Sequence, residues 1–258
     1  MFTISHPSAL PRRPRRLVAL LGAALLALAT LAAAQGSSTA AFDALLKSSV
    51  RDGVVDYPAF QDSAGFRAAV ASYALPGAPE ARGDKLAYAI NAYNALAIAG
   101  ILEGLSPSSL VGRTRYFKLK EWPFDGATIT LDALEHKVLR PMGEPRIHFA
   151  IVCASKSCPP LRSEVYTPAK LDAQLDDQAR RFVNDRSRNR FDAAARTARL
   201  SPIFDWFDAD FKAAAGSTQK FLARYVADPA AAKLLAEDGF KIEWMTYDWS
   251  LNGTPPRR

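Results

Sequence analysis

The longest apolar stretch after the first 34 residues is GDKLAYAINAYNALAIAGILEG, at positions 83–104. Its apolar residues recur at helical spacing along one side, at Leu86, Ile90, Tyr93, Ala97 and Ile101. Most other positions are apolar as well, so the pattern predicts a helix buried nearly all round, capped by Asp84 and ending near Gly104. Asn91 and Asn94 interrupt this pattern, and they stand out because a buried amide without partners costs about 1–3 kcal/mol.

Shorter patterns surround this helix. Before it, FDALLKSSV and GFRAAVASYAL predict two helices joined by a turn at RDGVVDYP, which makes residues 35–83 a helical bracket. After it, ATITL at 127–131 predicts a strand, and LDALEHKVLR at 131–140 predicts a helix that Pro141 ends.

In the second half of the chain, predicted strands and helices again follow one another. RIHFAIVC at 146–153 predicts a strand, and RFDAAARTARLS at 190–201 predicts a hairpin. Thr167-Pro168 and Ser201-Pro202 begin two helices, and FKIEWMTYD near the end predicts a further strand. The first of these helices has an apolar stripe of Leu171, Leu175, Ala179 and Phe182. Strands scattered among helices indicate an α+β fold, a helix-rich single domain around a small, mostly antiparallel sheet. The core is residues 84–252, and 253–258 is predicted to be a disordered tail.

The first 34 residues have the three-part pattern of a secretory signal peptide. A basic opening, MFTISHPSALPRRPRR, precedes the apolar run LVALLGAALLALATLAAAQ, and small residues at Ala32 and Ala34 place the cut before Gln35. The alternative is a retained anchor, although the run is shorter than the roughly 20 residues of a spanning helix. We therefore expect a periplasmic or secreted protein that contacts the membrane only if this segment is not cleaved.

Cleavage changes the charge of the protein. The whole chain has a net charge of +7, and removing four arginines from 33 basic residues leaves 29 against 26 acidic ones, or +3. That balance is too weak to indicate a nucleic-acid partner. The remaining length suits one domain, and no linker or internal repeat divides it.

Both cysteines and one of the two histidines beyond the signal segment fall in RIHFAIVCASKSCPPLR, at 146–162. Four interpretations of Cys153 and Cys158 remain open. They are a short-range disulfide that stabilises the fold by about 2 kcal/mol, a buried inert pair, a reactive thiol in one of the two, and a labile redox pair. A regular strand would send His148 and Cys153 to opposite faces, so a dyad requires the strand to end or bulge near Val152. Zinc binding with His136 is a further alternative, but no ligand pair has the close spacing of a zinc site, and we expect no metal or cofactor.

Five stretches of the chain resemble the domain-of-unknown-function family 547, which occurs in secreted bacterial proteins and at the ends of some plant proteins. They are NAYNAL at 91–96, LEHKVLRP at 134–141, IHFAIVCASKSCPPLR at 147–162, VYTPAKLDAQL at 165–175 and YDWSLN at 247–252. The resemblance runs from about residue 84 to 252 and implies no established reaction. The positions that match the family pattern are Asn91, Asn94, Glu135, His136, His148 and Cys153, with Cys158 in its bacterial version.

Two functions fit these residues. The first is an envelope binding or scaffolding domain whose buried asparagine, histidine and cysteine side chains form a polar cluster, with an unidentified envelope ligand or protein as partner. The alternative is a cysteine-dependent hydrolase or acyl transferase. Its catalytic candidates are Cys153, His148 or His136, and Asn91. The candidates for binding are Asn94, Glu135, Ser155 and Cys158.

Overall fold

Helix α4 (Arg82–Leu102) is the centre of the fold in the computed structural model, which describes residues 36–257. Every residue from Ala89 to Ile101 is buried, because the apolar composition all round the helix lets neighbours pack on every side. The predicted helix is confirmed, but Asp84 is not its cap: Ala81 holds that position and Asp84 lies in the first turn. By length and hydropathy α4 could cross a membrane, yet 83% of its apolar window is buried within the protein.

The segment before α4 packs against it as a bracket. Helix α1 (residues 36–49) leads into the strands β1 (Val50–Arg51) and β2 (Val54–Asp56). Helices α2 (Tyr57–Gln61) and α3 (Ala64–Ser72) follow, and both contact α4. The two predicted helices are confirmed, while RDGVVDYP contains a tight β-hairpin as well as a turn. The predicted signal segment lies outside the described residues.

After α4 the chain forms short helices around a hairpin. Helix α5 (Leu110–Arg113) continues into a π-helical segment, Thr114–Leu119, and strands β3 (Glu121–Phe124) and β4 (Ala127–Thr130) form the hairpin. The predicted helix at 131–140 is confirmed as helical, but it is not a regular α-helix. It is built from α6 (Leu131–Ala133), a π-helical segment (Leu134–Leu139) and a 3₁₀ turn (Arg140–Met142).

The predicted strand RIHFAIVC is wrong. Residues Pro145–Phe149 form a 3₁₀ helix, with Pro145 in its first turn and the Glu144 side chain accepting a hydrogen bond from the Arg146 N–H. Pro145 fixes φ at a helical value, and the Glu144 side chain bonds an N–H that has no partner within the turn. Both effects favour a helical turn over an extended strand. Residues beyond it run irregularly to Cys153. The expectation that alternation separates His148 from Cys153 therefore does not apply.

The remaining elements follow the sequence pattern closely. A 3₁₀ turn (Pro168–Lys170) leads into α7 (Leu171–Val183), whose predicted stripe is buried, and the predicted hairpin is β5 (Arg190–Asp192) and β6 (Thr197–Leu200). Four helices and two strands complete the chain: α8 (Ile203–Trp206), α9 (Asp208–Ala215), α10 (Thr218–Ala223), α11 (Pro229–Ala236), β7 (Lys241–Trp244) and β8 (Gly253–Thr254). Strand β8 pairs with β2, so the prediction that the tail is disordered is wrong for Gly253 and Thr254.

The α+β class is confirmed, although the strands form three small sheets rather than one. Strands β2 and β8, and β6 and β7, pair in parallel, and the other neighbours are antiparallel. The apolar side chains form two clusters, one around α4 and one of phenylalanines from α7 to α10. Ile147 and Ala150 pack into the first cluster and Phe149 into the second, so the 3₁₀ segment that carries His148 lies where the two clusters meet.

Candidate functional site

A cleft of about 460 Å³ opens beside the 3₁₀ segment. Its polar lining includes Glu135, from the stretch 134–141, and His148, Cys153 and Cys158, from the stretch 146–162. Aromatic side chains from the end of α8 and from the C-terminal segment line the same cleft, namely Trp206, Phe207, Tyr247 and Trp249. The structure thus gathers four of the predicted site residues around one concave surface of a size that suits a small ligand.

His148 is held rigidly at the edge of this cleft. Its Nε2 lies 2.8 Å from Asp210 Oδ2, and its ring stacks on Phe207 with centroids 3.8 Å apart. His148 is 3% exposed, and its Nδ1 has no hydrogen-bond partner among residues 36–257. Burial lowers the pKa of His148 below its ordinary value, against the opposing effect of Asp210, which favours the neutral imidazole at neutral pH.

Asp210 orients the imidazole and is itself clamped by Arg140. The guanidinium donates from Nε to Oδ2 at 2.8 Å and from its terminal nitrogen to Oδ1 at 2.9 Å. Hydrogen bonds from His148 and Arg140 hold the pKa of Asp210 far below its usual range. The ionised carboxylate accepts from Nε2–H, which leaves the Nδ1 lone pair of His148 as the free basic position.

Glu135 lies on the other side of the imidazole. Its Oε1 is 3.7 Å from His148 Nδ1, which is too long for a hydrogen bond. Burial raises the pKa of Glu135 to about 8, although Arg140 opposes the shift. The carboxyl group is therefore largely protonated at neutral pH and can donate a proton or a hydrogen bond into the cleft.

Cys153 has the chemistry of an activated thiol. Its Sγ lies 3.0 Å from Ser155 Oγ and 3.2 Å from the Tyr247 hydroxyl. Burial would raise the pKa of Cys153, but hydrogen bonds from Cys158, Ser155 and Tyr247 lower it to about 7. The lowered pKa favours the thiolate, which is the nucleophilic form of cysteine.

Cys158 is a second free thiol, so the disulfide alternative is not what the structure contains. The Cys153 N–H lies 2.8 Å from Cys158 Sγ and donates to it. Burial raises the pKa of Cys158 well above its ordinary value, and the neighbouring Cys153 adds to this effect. The two cysteines therefore differ, because the pKa of Cys153 is lowered whereas that of Cys158 is raised, which keeps the Cys158 thiol neutral.

The cysteine loop (residues 153–158) is fixed by distant parts of the chain. The Asn252 N–H donates to Ala154 O at 3.1 Å, and Lys156 N–H donates to Ser250 O at 2.8 Å. Arg188 donates to the carbonyls of Lys156 and Cys158 at 2.7 and 3.0 Å. Ala154, next to Cys153, has a φ of +59°, a left-handed conformation that a side chain adopts at some cost and that surrounding contacts must maintain.

The predicted roles of Asn91 and His136 are not supported by their positions. Asn91 exchanges two hydrogen bonds with the backbone of Tyr166, both at 2.8 Å, and does not line the cleft. His136 is exposed, and its Nδ1 lies 3.1 Å from Asp132 O. Asp210, rather than an asparagine, orients His148.

Asn94 has a supporting place behind the cleft. Its Nδ2 donates to Ala150 O, and its Oδ1 accepts from Val152 N–H, both at 2.9 Å. These bonds replace the sheet partners that residues 150–152 lack, so Asn94 fixes the connection between His148 and Cys153.

Sequence reasoning did not single out Asp210, Arg140 or Tyr247. Asp210 is one of three aspartates in IFDWFDADF, and nothing in its local pattern distinguishes it from a solvated helix residue. Arg140 and Tyr247 do fall within LEHKVLRP and YDWSLN, the stretches that resemble the family. Those stretches were the available signal for them.

Within residues 36–257, no group of three or more histidine, cysteine, aspartate or glutamate side chains is arranged to hold a metal ion. His136 and His148 have different surroundings, one exposed and one buried in the cleft wall. The zinc alternative therefore has no ligand set in this part of the chain.

Comparison with known families gives one match. The family described as "Protein of unknown function, DUF547" matches residues 80–183, which supports the resemblance drawn from the motifs. The match contains Asn91, Asn94, Glu135, His148, Cys153 and Cys158, whereas Asp210 and Tyr247 lie beyond it. Neither a curated protein nor a solved structure matched the chain.

Proposed function

We propose that this protein is a cysteine-dependent hydrolase or acyl transferase in which Cys153 is the nucleophile. The observation that carries the proposal is the pairing, in one cleft, of an acidified thiol and a carboxylate-bound imidazole with a free nitrogen. Perturbed ionisable groups that converge on a concave surface are typical of catalytic sites. The resemblance to a family of unknown function is compatible with this chemistry and does not add to it.

His148 acts as the base, and Asp210 makes that possible. With Nε2–H donated to Asp210, Nδ1 carries the lone pair that takes the thiol proton in this proposal. Within residues 36–257 no hydrogen bond joins Nδ1 to Cys153 Sγ, so the transfer needs a closer approach or one bridging water. Arg140 fixes the carboxylate in turn, and stacking on Phe207 prevents rotation of the ring. Both contacts keep the imidazole in one tautomer and one orientation.

The reaction then has two steps. Cys153 Sγ attacks a carbonyl carbon as its proton passes to His148 Nδ1, and the imidazolium returns that proton to the departing alcohol or amine. This leaves a thioester on Cys153. Water in a hydrolase, or an acceptor alcohol or amine in a transferase, attacks the thioester and gives its proton to His148 as the thiolate leaves. The neutral carboxyl of Glu135 can donate to the oxygen that gains negative charge.

The substrate belongs, in this proposal, to the cell envelope. The support is the signal-like segment at 1–34, whose basic and apolar pattern suits export. The mass of the protein isolated from its producing cells tests this point. We expect a chain that begins at Gln35, and an intact chain recovered from the cytoplasm would contradict it.

The pH dependence of alkylation is the first test of the nucleophile. The full chain is treated with iodoacetamide from pH 5 to 10, and modification of each cysteine is followed by peptide mass spectrometry. Cys153 should react with an apparent pKa near 7, below the roughly 8.5 of a free cysteine. Cys158 is the internal control, since its pKa is raised and it should react slowly at neutral pH.

Turnover is measured on a panel of simple esters, thioesters and amides with the wild type and Cys153→Ala. Replacing the nucleophile should lower kcat/KM by about 10³-fold or more, while the melting temperature changes little. Full activity in Cys153→Ala would refute the proposal. Ordinary alkylation of Cys153, near pKa 8.5, would contradict the activated thiol.

A non-catalytic binding or scaffolding domain is the second candidate, and one observation favours it. Asn91 and Asn94 have all their bonds to the backbone, as expected of a network that specifies a fold. This explains the two asparagines without catalysis, but it leaves the free Nδ1 of His148 and the thiol of Cys153 without a role. Unchanged activity in Cys153→Ala, together with ligand binding at the cleft, would favour this candidate.

A further inference from the structure

Three exposed apolar side chains lie on a segment with other residues that line the cleft. Leu110, Val111 and Leu119 are 72%, 69% and 65% exposed, and they lie within ten consecutive positions on α5 and the π-helical segment that follows it. Trp206, a fourth exposed apolar residue, lines the cleft together with Leu110. Single exposed apolar residues are common, but a group of them beside a cleft marks an interaction surface.

The same segment is basic. Residues 105–120 contain Arg113, Arg115, Lys118 and Lys120 and no acidic residue. Lys118 and Lys120 have carboxylate partners, Asp132 at 3.9 Å and Glu103 at 2.5 Å. Arg113 and Arg115 have no carboxylate partner in the described part of the chain, although Arg113 donates to the Pro107 carbonyl at 3.5 Å. Neither charge is neutralised, so both can attract an anionic surface.

Aromatic residues continue this surface across the cleft mouth. The Arg113 guanidinium lies 4.5 Å from the ring centroid of Trp249, and Trp206 stacks on Trp249 with centroids 5.8 Å apart. Tryptophan, leucine and basic side chains together are the composition that binds at the boundary between lipid headgroups and acyl chains.

We propose that residues 109–120, together with Trp206, dock on a lipid bilayer that carries anionic headgroups. Leu110, Val111 and Leu119 enter the interface, and Arg113 and Arg115 face the lipid phosphates. The cleft then opens toward the bilayer, so the ligands that reach it are groups carried by membrane lipids or presented at the membrane surface. Charge complementarity selects a bilayer, because the surface combines apolar side chains with unpaired cations and no acidic group within the segment. This inference concerns binding and holds whether or not Cys153 is a nucleophile.

Vesicle binding of the full chain tests the proposal. The protein is mixed with vesicles of phosphatidylglycerol and phosphatidylcholine, or of phosphatidylcholine alone, and bound protein is measured by sedimentation. Hydrogen exchange of the bound protein, followed peptide by peptide, locates the contact. We expect tighter binding to the anionic vesicles, weakening in 0.5 M salt as charges are screened, and slower exchange in peptides covering 109–120.

Val111→Asp/Leu119→Asp is the diagnostic variant, because neither side chain lines the cleft. We expect at least about tenfold weaker binding to anionic vesicles, since two apolar contacts are lost and two repelling charges are added. Val54→Asp/Leu75→Asp is the matched control, with the same residue types and charges at exposed positions elsewhere. It should bind as the wild type does.

Three results would overturn the proposal. The first is no preference for anionic vesicles, and the second is equal weakening in the two double variants, which would reflect general charge repulsion. The third is slower exchange confined to residues 1–35, which would place the contact in the N-terminal segment. Ester turnover measured in parallel, without vesicles, separates a failure of this inference from a failure of the catalytic proposal.

Discussion

Two groups of polar side chains in the interior of the fold differ in how fully they are bonded. In the amide pair, Asn91 and Asn94, the side-chain nitrogen and oxygen of each residue bind backbone groups at 2.8–2.9 Å. In the thiol–imidazole group, His148 keeps an unpaired Nδ1, and Cys153 and Glu135 have displaced pKa values. Complete bonding stabilises the fold, whereas incomplete bonding leaves groups able to react.

The difference explains why equally unusual polar residues should not be given equal roles. An amide within an apolar helix is costly unless it is bonded, and both asparagines meet that requirement with irregular backbone that has no sheet or helix partner. Nδ1 of His148 is equally buried, but it has no hydrogen-bond partner among the described residues. A buried ring nitrogen without a bonded partner calls for an explanation, and in the proposed mechanism a transferred proton supplies it.

Asp210→Asn is expected to have the largest effect on the reactive group. An asparagine can donate to Nε2 and so place the imidazole proton on Nδ1, which removes the base. We expect kcat/KM on any ester or amide that the wild type cleaves to fall by about 10²–10⁴-fold. Asp205→Asn, an exposed neighbour in the same segment, is the matched control and should keep full activity. Equal activity in both variants would mean that Asp210 does not orient the base.

Asn94→Ala should act on stability instead. It leaves the buried Ala150 carbonyl and Val152 N–H without their partners, so the free energy of unfolding should fall by about 2–4 kcal/mol in denaturant titrations. His136→Ala is a control at an exposed position and should change it by less than about 0.5 kcal/mol. If Asn94→Ala unfolds at the wild-type denaturant concentration, the amide pair is not structural.

Glu135→Gln should change the pH dependence of stability. The pKa of Glu135 is about 8 in the folded protein and near 4.5 when it is exposed, so the folded state holds one extra proton between these values. Stability contributed by this group is therefore present below pH 4.5 and declines as pH rises toward 8, by up to about 1.4 kcal/mol per pH unit. The glutamine variant lacks this decline. Parallel stability curves for the two proteins from pH 5 to 8 would contradict the raised pKa.

Tyr247→Phe should have the smallest effect. Removing one hydroxyl donor from Cys153 Sγ should raise its apparent pKa by about one unit, measured by the pH dependence of alkylation. Tyr88→Phe is the control, because its hydroxyl contacts Tyr73 O and lies outside the cleft. An unchanged pKa would assign the acidity of Cys153 to Ser155 and Cys158 alone.

Local pattern predicted most of the regular elements. The helix α4, the helix α7 with its stripe, the hairpin β5–β6 and the strands β4 and β7 all follow from spacing and breakers in the sequence. RIHFAIVC was predicted wrongly because a short apolar run fits a strand and a buried turn equally well. Its conformation depends on Asn94 and Gln178, whose amides bond the irregular backbone from elsewhere in the chain.

By itself the sequence determined the helical framework, the α+β class and the few residues able to carry thiol or imidazole chemistry, because these depend on residue type and short spacing. Tertiary structure alone decided which of them meet. The partner of His148 lies 62 positions away, and Tyr247 lies 94 positions from Cys153. The acidity of Cys153 and the proton on Glu135 likewise depend on burial and on contacts between distant segments, which no local pattern contains.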